Sequence, residues 1–151
     1  MMIREFLNYL QFERNYSART VKEYGADLKE FELYFKNLDA HLSWESVDSD
    51  VIRDWMESMM DKGNIASSIN RRLSALRSFF RFALSRNLVN SDPAHGVTGP
   101  KKDKPLPQFV KESEMDRLLD CRMWNLSDYK DACARTIIMT FYETGVRVAE
   151  L

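Results

Sequence analysis

Arg147 and Glu150 stand three residues apart in Tyr142-Glu143-Thr144-Gly145-Val146-Arg147-Val148-Ala149-Glu150-Leu151, directly after a stretch rich in apolar side chains. Gly145 suits the left-handed turn that ends many helices, so Arg147 falls just beyond a helix end. Its guanidinium is then set at a helix-to-helix junction. A guanidinium stays charged at any working pH and can give two parallel hydrogen bonds to one partner, so the chemistry open to Arg147 is the holding of an oxyanion.

The elements that must position this residue read as helices. Asp128 starts one that runs through Ile137, Ile138, Phe141 and Tyr142 to Gly145, and Ser113-Glu114 starts a shorter one through Leu118 and Leu119. Nearer the N-terminus, Ile3, Phe6, Leu7 and Leu10 predict a first helix ending near Asn15. Ser17 caps a second, with Val21, Tyr24, Leu28, Phe31 and Phe35 at intervals of three and four. Asp48 or Ser49 caps a third, carrying Val51, Ile52, Trp55 and Met59 until Gly63. The fourth starts near Ala66, buries Ile69, Leu73, Leu76, Phe80, Ala83 and Leu84, and stops before Asn90-Ser91-Asp92-Pro93, because the residue before a proline disfavours helix. No run alternates with period two and no segment repeats, so the fold class expected is all-α.

Between Pro93 and Pro107 lie Gly96, Gly99, Pro100, Pro105 and three lysines, a composition expected to form a linker rather than core. The expected organisation is a helical domain over 1–92, a basic linker over 93–110 and a second unit over 111–151.

Net charge is -1, which by itself gives no support to nucleic-acid binding, but the distribution is uneven. From Gly63 to Ser91 there is no Asp or Glu, while Arg71, Arg72, Arg77, Arg81 and Arg86 fall inside; Lys101, Lys102, Lys104 and Lys111 follow. On a helical wheel of the fourth helix, Ser67, Arg71, Ser74, Ser78, Arg81 and Ser85 gather opposite the apolar side. Short hydroxyls with interspersed arginines suit close approach to a phosphate backbone, whereas solvated faces favour Glu, Lys and Gln. A merely acid-poor solvated face is the alternative. Ser17, Arg19, Thr20 and Lys22 pose the same choice at a helix N-terminus, between an anion site and plain capping.

Other classes are disfavoured. A hydrophobic fraction of 44% with 30% charged residues argues against disorder throughout, and no apolar run approaches the roughly 20 residues of a membrane helix. No signal-peptide pattern opens the chain, so a cytoplasmic location without membrane partners is expected. Cys121 and Cys133 lie far apart and His41 and His95 are isolated; neither a disulfide framework nor a metal site is expected.

The Thr144-Gly145-Val146-Arg147-Val148-Ala149-Glu150-Leu151 string resembles the first active-site box of the tyrosine recombinases, the lambda-type integrases and Xer-type enzymes. The resemblance extends along the chain through Phe6-Leu7-Asn8-Tyr9-Leu10, Ser17-Ala18-Arg19-Thr20-Val21-Lys22-Glu23-Tyr24, Leu73-Ser74-Ala75-Leu76-Arg77-Ser78-Phe79-Phe80 and Asn90-Ser91-Asp92-Pro93. It implies a four-helix, SAM-like core-binding bundle, a linker, and the first helices of a truncated catalytic domain. The partner implied is double-stranded DNA, with no cofactor, no metal and no small-molecule substrate.

In that family a tyrosine attacks a backbone phosphodiester, giving a 3′-phosphotyrosyl link, and Arg147 matches the arginine that stabilises charge on the non-bridging oxygens. Preorganised donors of this kind are typically worth about 3–4 kcal/mol in the transition state. Glu150 matches an acidic residue that supports the site from behind, and Ala149 stands where serine is frequent. The DNA contacts carried over are Thr20 and Lys22, then Asn70, Arg71, Arg72 and Ser74, then Arg77, Ser78 and Arg81, with Lys101 and Lys102 in the linker. The family's lysine, its His-x-x-Arg box and its nucleophile match nothing here, so these residues alone are expected to be inactive and monomeric, while the parent assembles as a tetramer on two DNA sites. The competing reading is a non-catalytic helical DNA-binding or protein-interaction adaptor.

Overall fold

The computed structural model describes residues 2–102, 106 and 108–151. Asp103, Lys104, Pro105 and Pro107, inside the expected linker, lie outside them. All regular elements among the described residues are helical, as the periodicity predicts. The chain divides into two compact units, Met1–Lys104 and Pro105–Leu151.

In the first unit, α1 (Met2–Asn8) continues into a π-helical turn (Tyr9–Glu13), followed by α2 (Ala18–Leu38), α3 (Ser49–Asp61) and α4 (Ala66–Ser85). The caps follow local chemistry. Ser17 Oγ accepts the Thr20 N–H at 3.2 Å, Asp48 accepts the Asp50 and Val51 N–H groups at 3.0 Å, and Gly63 ends α3 with φ +78°. Periodicity did not show the π-helical turn, in which the Arg14 N–H reaches five residues back to the Tyr9 carbonyl. Asn15, with φ 52°, then reverses the chain into α2.

Trp44, on the α2–α3 connection, is the hub of the core. Its ring lies 4.4 Å from Phe79, 5.3 Å from Phe35, 5.7 Å from Phe31 and 5.8 Å from Phe80, centroid to centroid. The indole N–H donates to Glu32 at 2.9 Å, so the one polar atom of the ring is satisfied. At the far end of α4, Phe82 is buried against Phe6 and Tyr9. Leu84, expected inside, is instead 42% exposed, because α1 covers the Phe79–Phe82 arc and leaves the Leu84 side to solvent.

The largest departure from the sequence reading is Pro93–Pro100. Its composition suggested a linker with no core content, yet Ala94 and Val97 are buried. Two small apolar side chains suffice because the backbone polar groups around them find partners on α4, described below.

The second unit holds α5 (Glu112–Leu119) and α6 (Tyr129–Thr144). Glu114 reaches back to the Lys111 N–H at 3.1 Å to start α5. Trp124 Nε1 donates to the Leu118 carbonyl and Arg135 Nε to the Leu119 carbonyl, so two side chains close the end of α5. Neither helix has a fully buried residue, and Ile137, Met139 and Tyr142 are exposed.

Candidate nucleic-acid interface and catalytic arginine

The polar residues of α4 separate into those engaged within the protein and those that face outward. Arg71 grips Asp27 of α2 with both nitrogens, at 2.5 and 2.9 Å, while Glu23 lies 3.6 Å away. Arg72 is only 17% exposed; it pairs with Glu30 at 3.1 Å and donates to Met59 Sδ, and its Nε stays 3.6 Å from Asp27 without a hydrogen bond. Asn70 donates to the Ala66 carbonyl and, at 2.8 Å, to that of Pro100. Arg77 donates to the carbonyls of Ala94 and Val97. Thus α4 spends Asn70, Arg72 and Arg77 on holding the unit together, and Arg71 partly so.

Ser74 returns its hydroxyl to the Asn70 carbonyl but stays exposed. Arg81 is exposed and forms no ion pair among the described residues, and Ser78 beside it is half-buried. On α2, Thr20 shares a hydrogen bond with Ser17 at 2.9 Å, so its hydroxyl serves the cap; Lys22 projects freely. Lys101 and Lys102 are both exposed.

Two residues of consequence escaped the sequence reading. Asp27 is 3% exposed, and burial pushes its carboxyl above the usual carboxylate range against the opposing pull of Arg71. A signal existed, since Asp27 sits three residues after Tyr24 and four before Phe31, on the apolar stripe of α2. Arg14 is the other. It lines a cleft with Tyr16, Ser78, Arg81 and Ser85, and nothing in the periodicity could show it, because the π-helical turn sets its direction.

In the second unit, Gly145 closes α6 with φ 65° and its N–H bonded to the Phe141 carbonyl at 2.9 Å. Arg147 then begins a short 3-10 turn, Val148–Glu150. One Glu150 oxygen accepts the Arg147 backbone N–H at 2.9 Å and the other its guanidinium at 3.1 Å. The Arg147 side chain is 84% exposed. Glu150 thus holds one edge of the guanidinium, and the remaining N–H groups of Arg147 have no partner among the described residues. Among the described residues no three His, Cys, Asp or Glu side chains converge as a metal ion would require, and no helix is long and apolar enough to cross a membrane.

Residues 3–87 match the family model described as phage integrase, N-terminal SAM-like domain. The chain belongs to this family, the tyrosine recombinases, and is Xer-like. It is 30% identical to the tyrosine recombinase XerD of Oceanobacillus iheyensis over 149 residues, covering 99% of this chain and 49% of the relative. It is 35% identical to XerD of Staphylococcus haemolyticus and 34% identical to XerD of Staphylococcus aureus, each over 152 residues, with 99% of this chain and 50% of the relative covered. The chain spans about half the length of the curated relatives it matches.

Proposed function

We propose that this chain is the DNA-binding N-terminal portion of a site-specific recombinase that cuts and rejoins double-stranded DNA through a 3′-phosphotyrosyl intermediate. The observation that carries the reading is the pairing of Arg147 with Glu150 beyond the Gly145 turn, in a chain aligned along almost its whole length with XerD relatives. In this reading Arg147 donates to the non-bridging oxygens of the scissile phosphate and Glu150 keeps the guanidinium in register. The 151 residues by themselves neither cleave nor join DNA, because none of their tyrosines matches the position of the family's nucleophile.

DNA is held by the outward set: Lys22 on α2, Ser74, Ser78 and Arg81 on α4, and Lys101 and Lys102 after Pro100. Arg71 adds charge from its pair with Asp27, while Asn70, Arg72 and Arg77 shape the face that carries these contacts. The parent protein assembles as a tetramer on two DNA sites in the cytoplasm, and the isolated chain is a monomer.

The test is binding to mixed-sequence duplex DNA across a salt series, with Arg81→Ala and a Lys101→Ala/Lys102→Ala double variant. Phosphate neutralisation requires affinity to fall as salt rises, with a shallower slope in each variant. Affinity that ignores salt would defeat the reading, and a covalent protein–DNA adduct resistant to detergent would defeat the assignment of inactivity.

A further inference from the structure

A cleft of about 250 Å³ opens between the π-helical turn and the last turns of α4. Tyr9 and Phe82 line it as a tilted ring pair, with centroids 4.9 Å apart. Arg14, Tyr16, Ser78 and Arg81 also line it. Among the described residues no carboxylate lines it. The nearest in sequence, Glu13, is held by Arg86 through both oxygens, at 3.0 and 3.1 Å. Among the described residues neither Arg14 nor Arg81 has a carboxylate partner, whereas Arg71, Arg72, Arg86 and Arg147 each have one.

The placement of Arg14 is built by the backbone. The π-helical turn inserts an extra residue into the end of the first helical stretch, and the left-handed Asn15 reverses the chain immediately afterwards. The Tyr16 N–H then bonds to the Leu10 carbonyl at 3.0 Å, which fixes Arg14 and Tyr16 on the cleft wall. π-Helical turns of this kind occur frequently at functional sites, because they re-aim side chains at some cost in regular geometry. Two cations brought to one small cleft repel each other unless an anion joins them.

We infer that the Arg14–Arg81 cleft binds a phosphate oxyanion, and that its ligand is a backbone phosphodiester of the DNA. Arginine forks from two sides and hydroxyl donors from Tyr16 and Ser78 match a tetrahedral group with several oxygens. The choice of DNA over free phosphate rests on the proposed function, and the experiment separates the two sources.

The whole chain, Arg14→Gln, Arg81→Gln, their double variant and Arg14→Lys are titrated with duplex DNA across a salt series. In parallel, the wild type and Arg14→Gln are titrated with inorganic phosphate while the backbone resonances of Arg14, Tyr16, Ser78 and Arg81 are followed. The Arg14 side chain makes no hydrogen bond or ion pair among the described residues, so its replacement leaves the fold intact, which matching thermal unfolding curves check. The expected result is that each Gln variant lowers the slope of log affinity against log salt by about 0.9, one phosphate's share. The double variant loses little more than either single one, because both arginines hold the same group, and Arg14→Lys keeps most of the slope. DNA binding by the wild type with an unchanged slope in Arg14→Gln overturns the cleft and leaves the proposed function standing. No DNA binding, but phosphate-induced shifts at these residues that Arg14→Gln abolishes, supports the cleft and overturns the DNA reading. Silence in both titrations overturns the cleft.

Discussion

Arg71 and Asp27, 44 residues apart in sequence, join α4 to α2 through two parallel hydrogen bonds, with the aspartate almost wholly withdrawn from water. Burial raises the Asp27 carboxyl above the ordinary carboxylate range; Arg71, by charge and by hydrogen bond, and Arg72, by charge, oppose it without prevailing. The folded chain therefore holds this proton to higher pH than the unfolded chain does. The stability linked to it is complete below the unfolded carboxylate range and is lost as pH rises through the folded value. Asp27→Asn cannot titrate, so the unfolding free energy of wild type minus that of Asp27→Asn is expected to fall as pH climbs from about 4, then level off. Urea midpoints at a series of pH values give this difference. A difference that grows with pH would mean that the two guanidinium groups outweigh burial.

Arg77 ties Pro93–Pro100 to α4 by donating to the carbonyls of Ala94 and Val97. Arg77→Met keeps much of the aliphatic stem and removes the charged donors. Hydrogen bonds to a charged group contribute about 1.5–3 kcal/mol, so a loss in that range is expected by urea unfolding. Limited proteolysis is the sharper readout: the variant should be cut between Pro93 and Pro100 under conditions in which the wild type resists. Equal resistance there would show that burial of Ala94 and Val97 alone holds the segment.

These contacts also mark where sequence reading reached its limit. Ser17, Asp48, Gly63 and Gly145 were legible because a cap is decided by a few neighbouring residues, and α2 to α4 were legible because their apolar stripes are regular. The destinations of the α4 arginines were not. Whether Arg71 or Arg77 faces a ligand or the protein depends on Asp27, Ala94 and Val97, partners 17 to 44 residues away that helical periodicity cannot see. The same holds for Leu84, whose exposure is set by where α1 crosses α4. The place of Arg147 just past the end of α6 was legible for the opposite reason: Gly145, Arg147 and Glu150 make their geometry among themselves.

Gly99 and Asn70 give a second test of the folded-back segment. A Cβ at Gly99 would collide with the Asn70 amide, the group that also holds the Pro100 carbonyl. Gly99→Ala is expected to cost about 1–3 kcal/mol, the usual range for overpacking a filled site. In an Asn70→Ala background only Leu73 Cδ2, 3.3 Å away, still crowds that Cβ, so the double variant should lose less than the sum of the single losses. Additive losses would show that the chain around Gly99 shifts aside freely and that the contact with Asn70 is incidental.

Gly145 controls where α6 stops and hence where Arg147 starts. An added Cβ would meet nothing within 4 Å, so a substitution here acts through backbone conformation alone. With φ at 65°, a residue bearing a Cβ pays roughly 1–2 kcal/mol, asparagine less than alanine, and a β-branched residue most. Relief comes by letting α6 run on past Thr144, which turns Arg147 away and pulls its backbone N–H from Glu150. Backbone chemical shifts over residues 144–150 should therefore move toward helix in the order Gly145→Asn, Gly145→Ala, Gly145→Val, with the Arg147 and Glu150 signals losing their mutual contacts in step. If Gly145→Val left those signals where they are in the wild type, the Arg147–Glu150 pair would be holding its own turn, and the left-handed glycine would have no part in placing the arginine.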